Sequence, residues 1–114
     1  MSKLDIRARQ SGPVTILDLS GQLTLDSGYG SLGESVAKLL GDGHRRILIN
    51  LRDVSFIDSA GLGEMVRSHA SALKHGGKLK LEHLSARLAG LLRITKLDMI
   101  FEHYSDEQEA IRSF

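Results

Sequence analysis

The run Arg46-Ile-Leu-Ile-Asn-Leu-Arg-Asp-Val-Ser-Phe-Ile-Asp-Ser-Ala-Gly-Leu-Gly63 decides the fold class of this chain. Its first six residues form a short, nearly continuous apolar stretch, which is typical of a strand buried on both faces of a sheet. Residues 52–58 are predicted to form a loop, and a helix is predicted to begin near Ser59. A central strand that leads through a short loop into a helix indicates an α/β fold.

The helix after Ser59 is indicated by apolar residues at helical spacing. Gly76-Gly77 is predicted to end it with a left-handed cap. The residues that mark one face of this helix are Leu62, Met65, Val66, His69, Ala70 and Leu73.

Upstream of the central strand, the sequence predicts a hairpin and a first helix. Apolar residues alternate over 4–8 and approximately over 14–19, and Gly12-Pro13 between them is a turn signal. A polar, glycine-rich stretch covers residues 21–33. The helix that follows it ends at Gly41-Asp-Gly43, and its apolar positions are Leu32, Val36, Leu39 and Leu40.

Downstream, strands and helices continue to alternate. Residues 78–84 have the period of a strand, and residues 86–94 have that of a helix with Leu88, Leu91 and Leu92 on one face. A short strand is predicted at 99–101 and a last helix at 106–114, capped by Ser105 or Asp106. Strands separated by single helices favour parallel pairing, so we expect an α/β layer in one domain over residues 1–114.

Composition limits the function classes. The chain has 114 residues, of which 41% are hydrophobic and 25% charged, and a single compact domain of this size can bury a core without disulfides or metal. It contains no cysteine, no signal-peptide pattern and no apolar run of about 20 residues, so we expect a cytoplasmic protein without a membrane span. The net charge of +1 comes from scattered charges, which disfavours nucleic acid as a partner.

The turn around Ser59 is the best candidate site. A serine at a helix N-terminus either caps the helix or accepts phosphate where unpaired N–H groups carry partial positive charge, and Asp58 is an alternative cap. Gly61 and Gly63 cost helix stability, which close approach of a partner would explain. Leu62 between them is expected to be exposed beside the serine. From the residues alone, both the cap and the phosphate acceptor stay open.

The pattern Asp53-x-Ser55-x-Ile57-Asp58-Ser59-x-Gly61-Leu62-Gly63 resembles the signature of the STAS domain, as found in bacterial anti-sigma factor antagonists. Gly21-Gln-Leu23 and Gly76-Gly77-Lys-Leu79 also resemble that family, and the likeness covers nearly the whole chain. The resemblance implies a STAS-like α/β domain with a mixed sheet of four to five strands and about four helices, mainly on one face.

The same resemblance implies a function. In that family the serine after the motif aspartate is phosphorylated by an anti-sigma factor that is also a serine kinase, and the unphosphorylated antagonist binds this kinase and frees a sigma factor. The match places phosphorylation on Ser59 and implies a serine phosphatase that reverses it. Where the family often has an aspartate after its Gly-x-Leu element, this chain has Thr24. The implied partner-binding residues are Thr24, Asp26, Ser55, Asp58, Ser59, Ala60, Gly61, Leu62 and Gly63.

Members of the family also serve as accessory or scaffold subunits of transporters and signalling complexes, so a role without a phosphorylation cycle is the alternative. An enzymatic function ranks last. Gly28-Tyr-Gly30-Ser-Leu-Gly33 satisfies a dinucleotide-binding pattern, but polar residues separate it from the preceding strand. Asp58-Ser59-Ala-Gly61 lacks the first glycine of a hydrolase elbow, and the five histidines lie on different elements. We expect no cofactor and no metal. Lys74, Lys78 and Lys80 are interpreted as solvated.

Overall fold

The computed structural model describes residues 3–114. The strands are β1 Asp5–Ser11, β2 Val14–Leu23, β3 Arg46–Ile57, β4 Lys78–Glu82 and β5 His103–Tyr104. The helices are α1 Ser31–Gly41, α2 Ser59–Lys74, α3 Ala86–Ile94 and α4 Glu107–Arg112, with a 3₁₀ turn at Leu97–Met99.

The five strands form one mixed sheet in chain order, with β3 in the middle. The predicted hairpin is confirmed, because β1 and β2 pair antiparallel about a turn in which Gly12 has a φ of 56°. The other pairs, β2 with β3, β3 with β4, and β4 with β5, are parallel as predicted, since a helix or a helix and turn returns the chain to the same edge each time.

Alternating side chains of the sheet divide the core into two layers. Leu17, Ile49 and Leu81 are neighbours across β2, β3 and β4, and they belong to the larger layer under α1, α2 and α3. On the opposite face, Ile16 and Leu48 pack with Ala110 of α4. Three helices therefore cover one face and a single short helix covers the other, which confirms the fold class predicted above.

The predicted loop at 52–58 is wrong, because β3 continues to Ile57. Its second half pairs with the end of β2, where Ser20 faces Asp53 and Leu23 faces Ile57. The register shifts twice along this pairing, and such irregularities disturb the period-two pattern that identifies a strand in sequence.

The predicted strand at 99–101 is also wrong. Residues up to Met99 form the 3₁₀ turn, and Phe101 is buried in the larger core layer, where its ring contacts that of His69 with centroids 5.1 Å apart. The last strand follows two residues later at His103–Tyr104, and α4 begins after Asp106, which caps it as one of the two predicted residues. Phe101 therefore belongs to the core packing, and the strand begins at His103 and not at Met99.

The buried face of α2 is rotated from the predicted one. Ala70 and Leu73 are exposed, whereas Glu64 and Ser68 are 3% exposed. Glu64, Ser68 and Ala72 are four residues apart and form one buried stripe of α2. This stripe faces α1, because Glu64 accepts a hydrogen bond from the Gly33 N–H of α1. Gly76, with a φ of 76°, ends the helix region as predicted.

Lys80 is not solvated, contrary to the prediction for the Lys74, Lys78 and Lys80 cluster. Its side chain is 2% exposed, and its Nζ donates to the carbonyl and hydroxyl oxygens of Ser113 at 2.8 and 3.0 Å. The Nζ also lies 4.7 Å from the centre of the Phe114 ring. The alternation of residues 78–84 predicts that the Lys80 side chain is exposed. In the structure, α4 and the residues after it cover the face of the sheet on which Lys80 lies.

Candidate functional site

Asp58 is the cap of α2. It has an extended backbone, and its Oδ1 accepts a hydrogen bond from the Gly61 N–H at 2.9 Å, the typical geometry of an N-cap. Its other oxygen, Oδ2, accepts from the Leu25 N–H at 3.0 Å. These two backbone donors, with Leu25 the stronger influence, lower the pKa of Asp58, so the carboxylate is ionised at neutral pH.

Ser59 is the first residue of α2 and is exposed. Because Asp58 provides the cap, the Ser59 hydroxyl is not needed for it, and within residues 3–114 that hydroxyl makes no hydrogen bond. The N–H groups of the first helical turn add partial positive charge beside it. The site therefore combines an accessible hydroxyl with a local field that favours a phosphate.

A loop at residues 24–30 lies next to Ser59, because Asp58 holds Leu25. Thr24 and Ser27 exchange backbone hydrogen bonds of 3.2 Å, which close the loop into a tight turn. The turn presents Leu25 at 62% exposure and Tyr29 at 51%, and the Arg67 guanidinium of α2 donates to the Tyr29 hydroxyl at 3.2 Å. The turn therefore exposes Leu25, whose backbone is held by Asp58, and Tyr29, whose hydroxyl is held by Arg67.

Gly61 has an internal reason to be glycine. A Cβ at this position would overlap the carbonyl oxygen of Leu23 and lie 2.8 Å from its carbonyl carbon. The packing of α2 on β2 is therefore enough to explain Gly61, and close approach of a partner is not needed. The expectation that Leu62 is exposed is wrong, because it is 9% exposed and packs in the larger core layer.

Glu64 is a residue of the site region that the sequence did not identify. It is 3% exposed, and its Oε2 accepts from the Gly33 N–H at 2.8 Å. Gly33 belongs to the first turn of α1, which begins after Gly30 without a side-chain cap of its own. A carboxylate of α2 thus binds the N-terminus of α1, and only the packing of the two helices reveals this.

The structure separates the predicted partner-binding residues into two groups. Ser55, Asp26 and Ser59 are exposed, and Asp58, Ala60 and Gly63 are half-buried. Thr24 is only 8% exposed, and Gly61 and Leu62 are buried, so these three support the surface from below. Leu25 and Tyr29, which the sequence did not predict as partner-binding residues, are exposed. The sequence signal that could have identified Leu25 is an apolar residue within a polar stretch.

Two glycines of the dinucleotide-like motif, Gly28 and Gly30, lie in the loop, and the third, Gly33, lies in the first turn of α1. Gly28 and Gly30 have φ values of 75° and 90°, which favour glycine, and a Cβ on Gly28 would overlap the side chain of Leu4. No group of three or more histidine and carboxylate side chains suited to a metal occurs within residues 3–114. In the same part of the chain, no helix is long and apolar enough to cross a membrane.

Comparison with known proteins identifies the class of this domain. The model of the STAS domain matches residues 5–110. The chain belongs to the STAS domain family.

The relatives of the chain include antagonists of anti-sigma factors. The anti-sigma-B factor antagonist of Bacillus subtilis is 50% identical over 54 residues, which cover 47% of this chain and 50% of that protein. The match therefore spans about half the length of this curated relative. The crystal structure of a candidate anti-sigma factor antagonist from Thermotoga maritima has a TM-score of 0.87 and 27% identity over 95% of this chain and 92% of that one.

A second solved structure shares the fold alone. Phosphorylated SpoIIAA from Bacillus has a TM-score of 0.72 and 16% identity, covering 96% of this chain and 100% of that one.

Proposed function

We propose that the chain is an anti-sigma factor antagonist whose binding is switched by phosphorylation of Ser59. The unphosphorylated form binds an anti-sigma factor with serine kinase activity and releases a sigma factor, and a serine phosphatase restores that form. The chain is a substrate in this cycle and carries no catalytic group of its own. The observation that supports the proposal most is the exposed Ser59 hydroxyl, which Asp58 relieves of the capping role.

The electrostatics of the turn support a switch that needs little backbone motion. A phosphate on Ser59 adds about −1.5 to −2 charge next to the ionised Asp58 carboxylate. The N-terminus of α2 offsets part of this charge, so the helix can hold the phosphate without unfolding. Asp58 also accepts a hydrogen bond from the Leu25 N–H, so the phosphate would lie close to the loop that carries the exposed Leu25. A partner that buries Leu25 would then have to desolvate a phosphate.

Incubation with the cognate kinase and ATP is expected to add one phosphate to the wild-type chain and none to Ser59→Ala, as measured by intact mass. The variant should fold normally, because the Ser59 hydroxyl makes no hydrogen bond within residues 3–114. Ser105→Ala, which removes another exposed serine hydroxyl, is the matched control and should still gain the phosphate.

A wild-type chain that gains no phosphate would favour the role of accessory or scaffold subunit over the switch. Equal phosphorylation of wild type and Ser59→Ala would move the acceptor to another residue and contradict the assignment. Purified phosphorylated chain should bind the kinase at least about tenfold more weakly than the unphosphorylated chain, because desolvation of the phosphate opposes docking.

Replacement of Leu25 by serine is expected to weaken kinase binding by about tenfold or more, measured by calorimetry with the unphosphorylated chain. A side chain that is 62% exposed on a fixed turn is typical of an apolar anchor that a partner buries. Ile94→Ser removes an 83% exposed apolar side chain from the end of α3 and is the control. Equal affinities of Leu25→Ser and Ile94→Ser would exclude loop 24–30 from the interface.

A further inference from the structure

An open cleft of about 560 Å³ lies at the end of the sheet opposite to Ser59. It is bounded by the turn between β1 and β2, the loop before β3 and the turn before β4, and its lining includes His44, Arg45, Arg46, Lys78 and Phe114. We call it the basal cleft. β3 begins here at Arg46 and ends at Ile57, two residues before Ser59, so the cleft has no part in the switch proposed above.

The lining of the basal cleft is positively charged. Among residues 3–114, the cations that line it are Arg45, Arg46 and Lys78, and no carboxylate side chain lines it. The segments that surround the cleft, 42–46, 74–78 and 112–114, together carry five lysine and arginine side chains and one acidic side chain, Asp42. A cleft of this charge is complementary to an anion.

Arg46 and Lys78 lie side by side on neighbouring strands. They are Cα partners in the parallel pairing of β3 with β4, so their side chains leave the sheet on the same face. Within residues 3–114, neither side chain forms an ion pair or a hydrogen bond. Glu102 attracts Lys78 at longer range, but its Oε1 lies 3.3 Å from the Nζ of Lys80. Because like charges directly opposite each other destabilise a sheet, folding stability does not explain this pair.

Arg45 is held in place at the edge of the basal cleft. Its Nη1 donates to the carbonyl oxygens of Leu40 and His44, at 2.8 and 3.1 Å, and so satisfies the C-terminal end of α1. The His44 ring is also positioned, because its Nδ1 lies 3.0 Å from Thr15 Oγ1. The other guanidinium nitrogens of Arg45 remain as donors. The cleft therefore has one fixed cation and two cations without a partner.

We propose that the basal cleft binds a diphosphate group, with Arg46 and Lys78 as its main ligands and Arg45 as the third cation. A phosphate monoester carries about −1.5 to −2 charge near neutral pH, so three cations exceed what one such group neutralises and suit two linked groups. The guanidinium of Arg46 can bind two phosphate oxygens at once, and Lys78 adds a mobile point charge. The volume of the cleft is in the range that small ligands occupy. Bound diphosphate removes the repulsion between Arg46 and Lys78.

Calorimetry and thermal melting with inorganic pyrophosphate test the site in a low-salt buffer free of phosphate. Calorimetry is expected to show one site per chain, and the double variant Arg46→Gln with Lys78→Gln should bind at least about tenfold more weakly, since it loses two charge-assisted contacts. Pyrophosphate at ten times its dissociation constant should raise the melting temperature of the wild-type chain by about 5 °C, and this shift should saturate.

Two variants distinguish binding from a structural role of the cations. Without pyrophosphate, the double variant should melt at the wild-type temperature or above it, because the like-charge pair is gone, and with pyrophosphate it should show no saturable shift. Arg93→Gln removes an exposed cation near the end of α3 and is the control, which should bind pyrophosphate like wild type.

Three results would overturn the proposal. Phosphate-like anions also stabilise proteins by exclusion from their surface, so an equal rise in melting temperature in wild type and the double variant would show a general salt effect and no site. Sulfate bound as tightly as pyrophosphate would reduce the cleft to a site for any single anion. A single-stranded oligonucleotide bound more tightly than pyrophosphate would assign the cleft to nucleic acid. None of these results bears on phosphorylation of Ser59 at the other end of β3.

Discussion

Gly61→Ala is expected to lower the free energy of unfolding by about 3 kcal/mol or more, because its new Cβ would be forced into backbone that cannot move aside. The atoms in its way are the carbonyl group of Leu23 and the Cγ of the same residue, 2.9 Å away. Leu23 is the buried last residue of β2, so relief requires α2 to move away from the sheet. Chemical denaturation at neutral pH measures the loss.

Gly63→Ala is the matched control, two residues further along the same helix. A Cβ there would meet only Nη1 of Arg67, at 3.3 Å, and that side chain is flexible and exposed. Alanine favours the helix over glycine by up to about 1 kcal/mol, so Gly63→Ala should be neutral or slightly stabilising. Equal effects of the two substitutions would show that β2 does not approach α2 closely at Gly61.

Glu82→Gln is expected to remove a loss of stability that the wild-type chain shows between about pH 5 and pH 8. Glu82 is fully buried under α4, and this burial, with Glu107 nearby as the second cause, raises the pKa of Glu82 to about 8. The unfolded chain ionises the same group at about pH 4.3. The folded protein therefore holds one more proton across this range, and its stability falls as pH rises.

One proton changes the free energy of unfolding by at most about 1.4 kcal/mol per pH unit. We therefore expect the wild-type chain to lose roughly 2–4 kcal/mol of stability from pH 5 to pH 8, and the stability of Glu82→Gln to vary much less with pH. Urea denaturation at each pH gives both profiles. The pKa of Glu107 is lowered by its hydrogen bonds from Arg9, one of them 3.0 Å long, and this contributes stability that is lost only in the acid range. The contribution of Glu107 therefore does not cancel the loss of stability that Glu82 causes between pH 5 and pH 8.

Glu109→Gln provides the control for this experiment. Glu109 lies on the same helix but is exposed, so the variant should retain the wild-type profile. Arg9 and Asp18 face the same region from β1 and β2, and His83 Nε2 lies 3.0 Å from Glu82 Oε1. Parallel profiles of wild type and Glu82→Gln would mean that other groups in this cluster hold the proton.

The sequence by itself determined the order of the elements and the place of the candidate site at Ser59. Helices with clear caps and regular apolar spacing were predicted well, and α3 was predicted at its observed bounds, Ala86–Ile94. The motif at Ser59 was legible for the same reason, because it lies at a strand-helix junction where residue types follow local backbone requirements. Local hydrogen bonding and periodicity are written in neighbouring residues, so they can be read without the fold.

Only the tertiary structure decided which groups are exposed. Leu62 and Lys80 are buried because α2 packs on the sheet and α4 covers its other face. The role of Gly61 depends on Leu23, which lies 38 positions earlier in the chain, and the anchoring of Leu25 depends on Asp58 across a similar interval. Contacts between distant segments leave no periodic trace in sequence, and they decide which side chains around Ser59 are accessible.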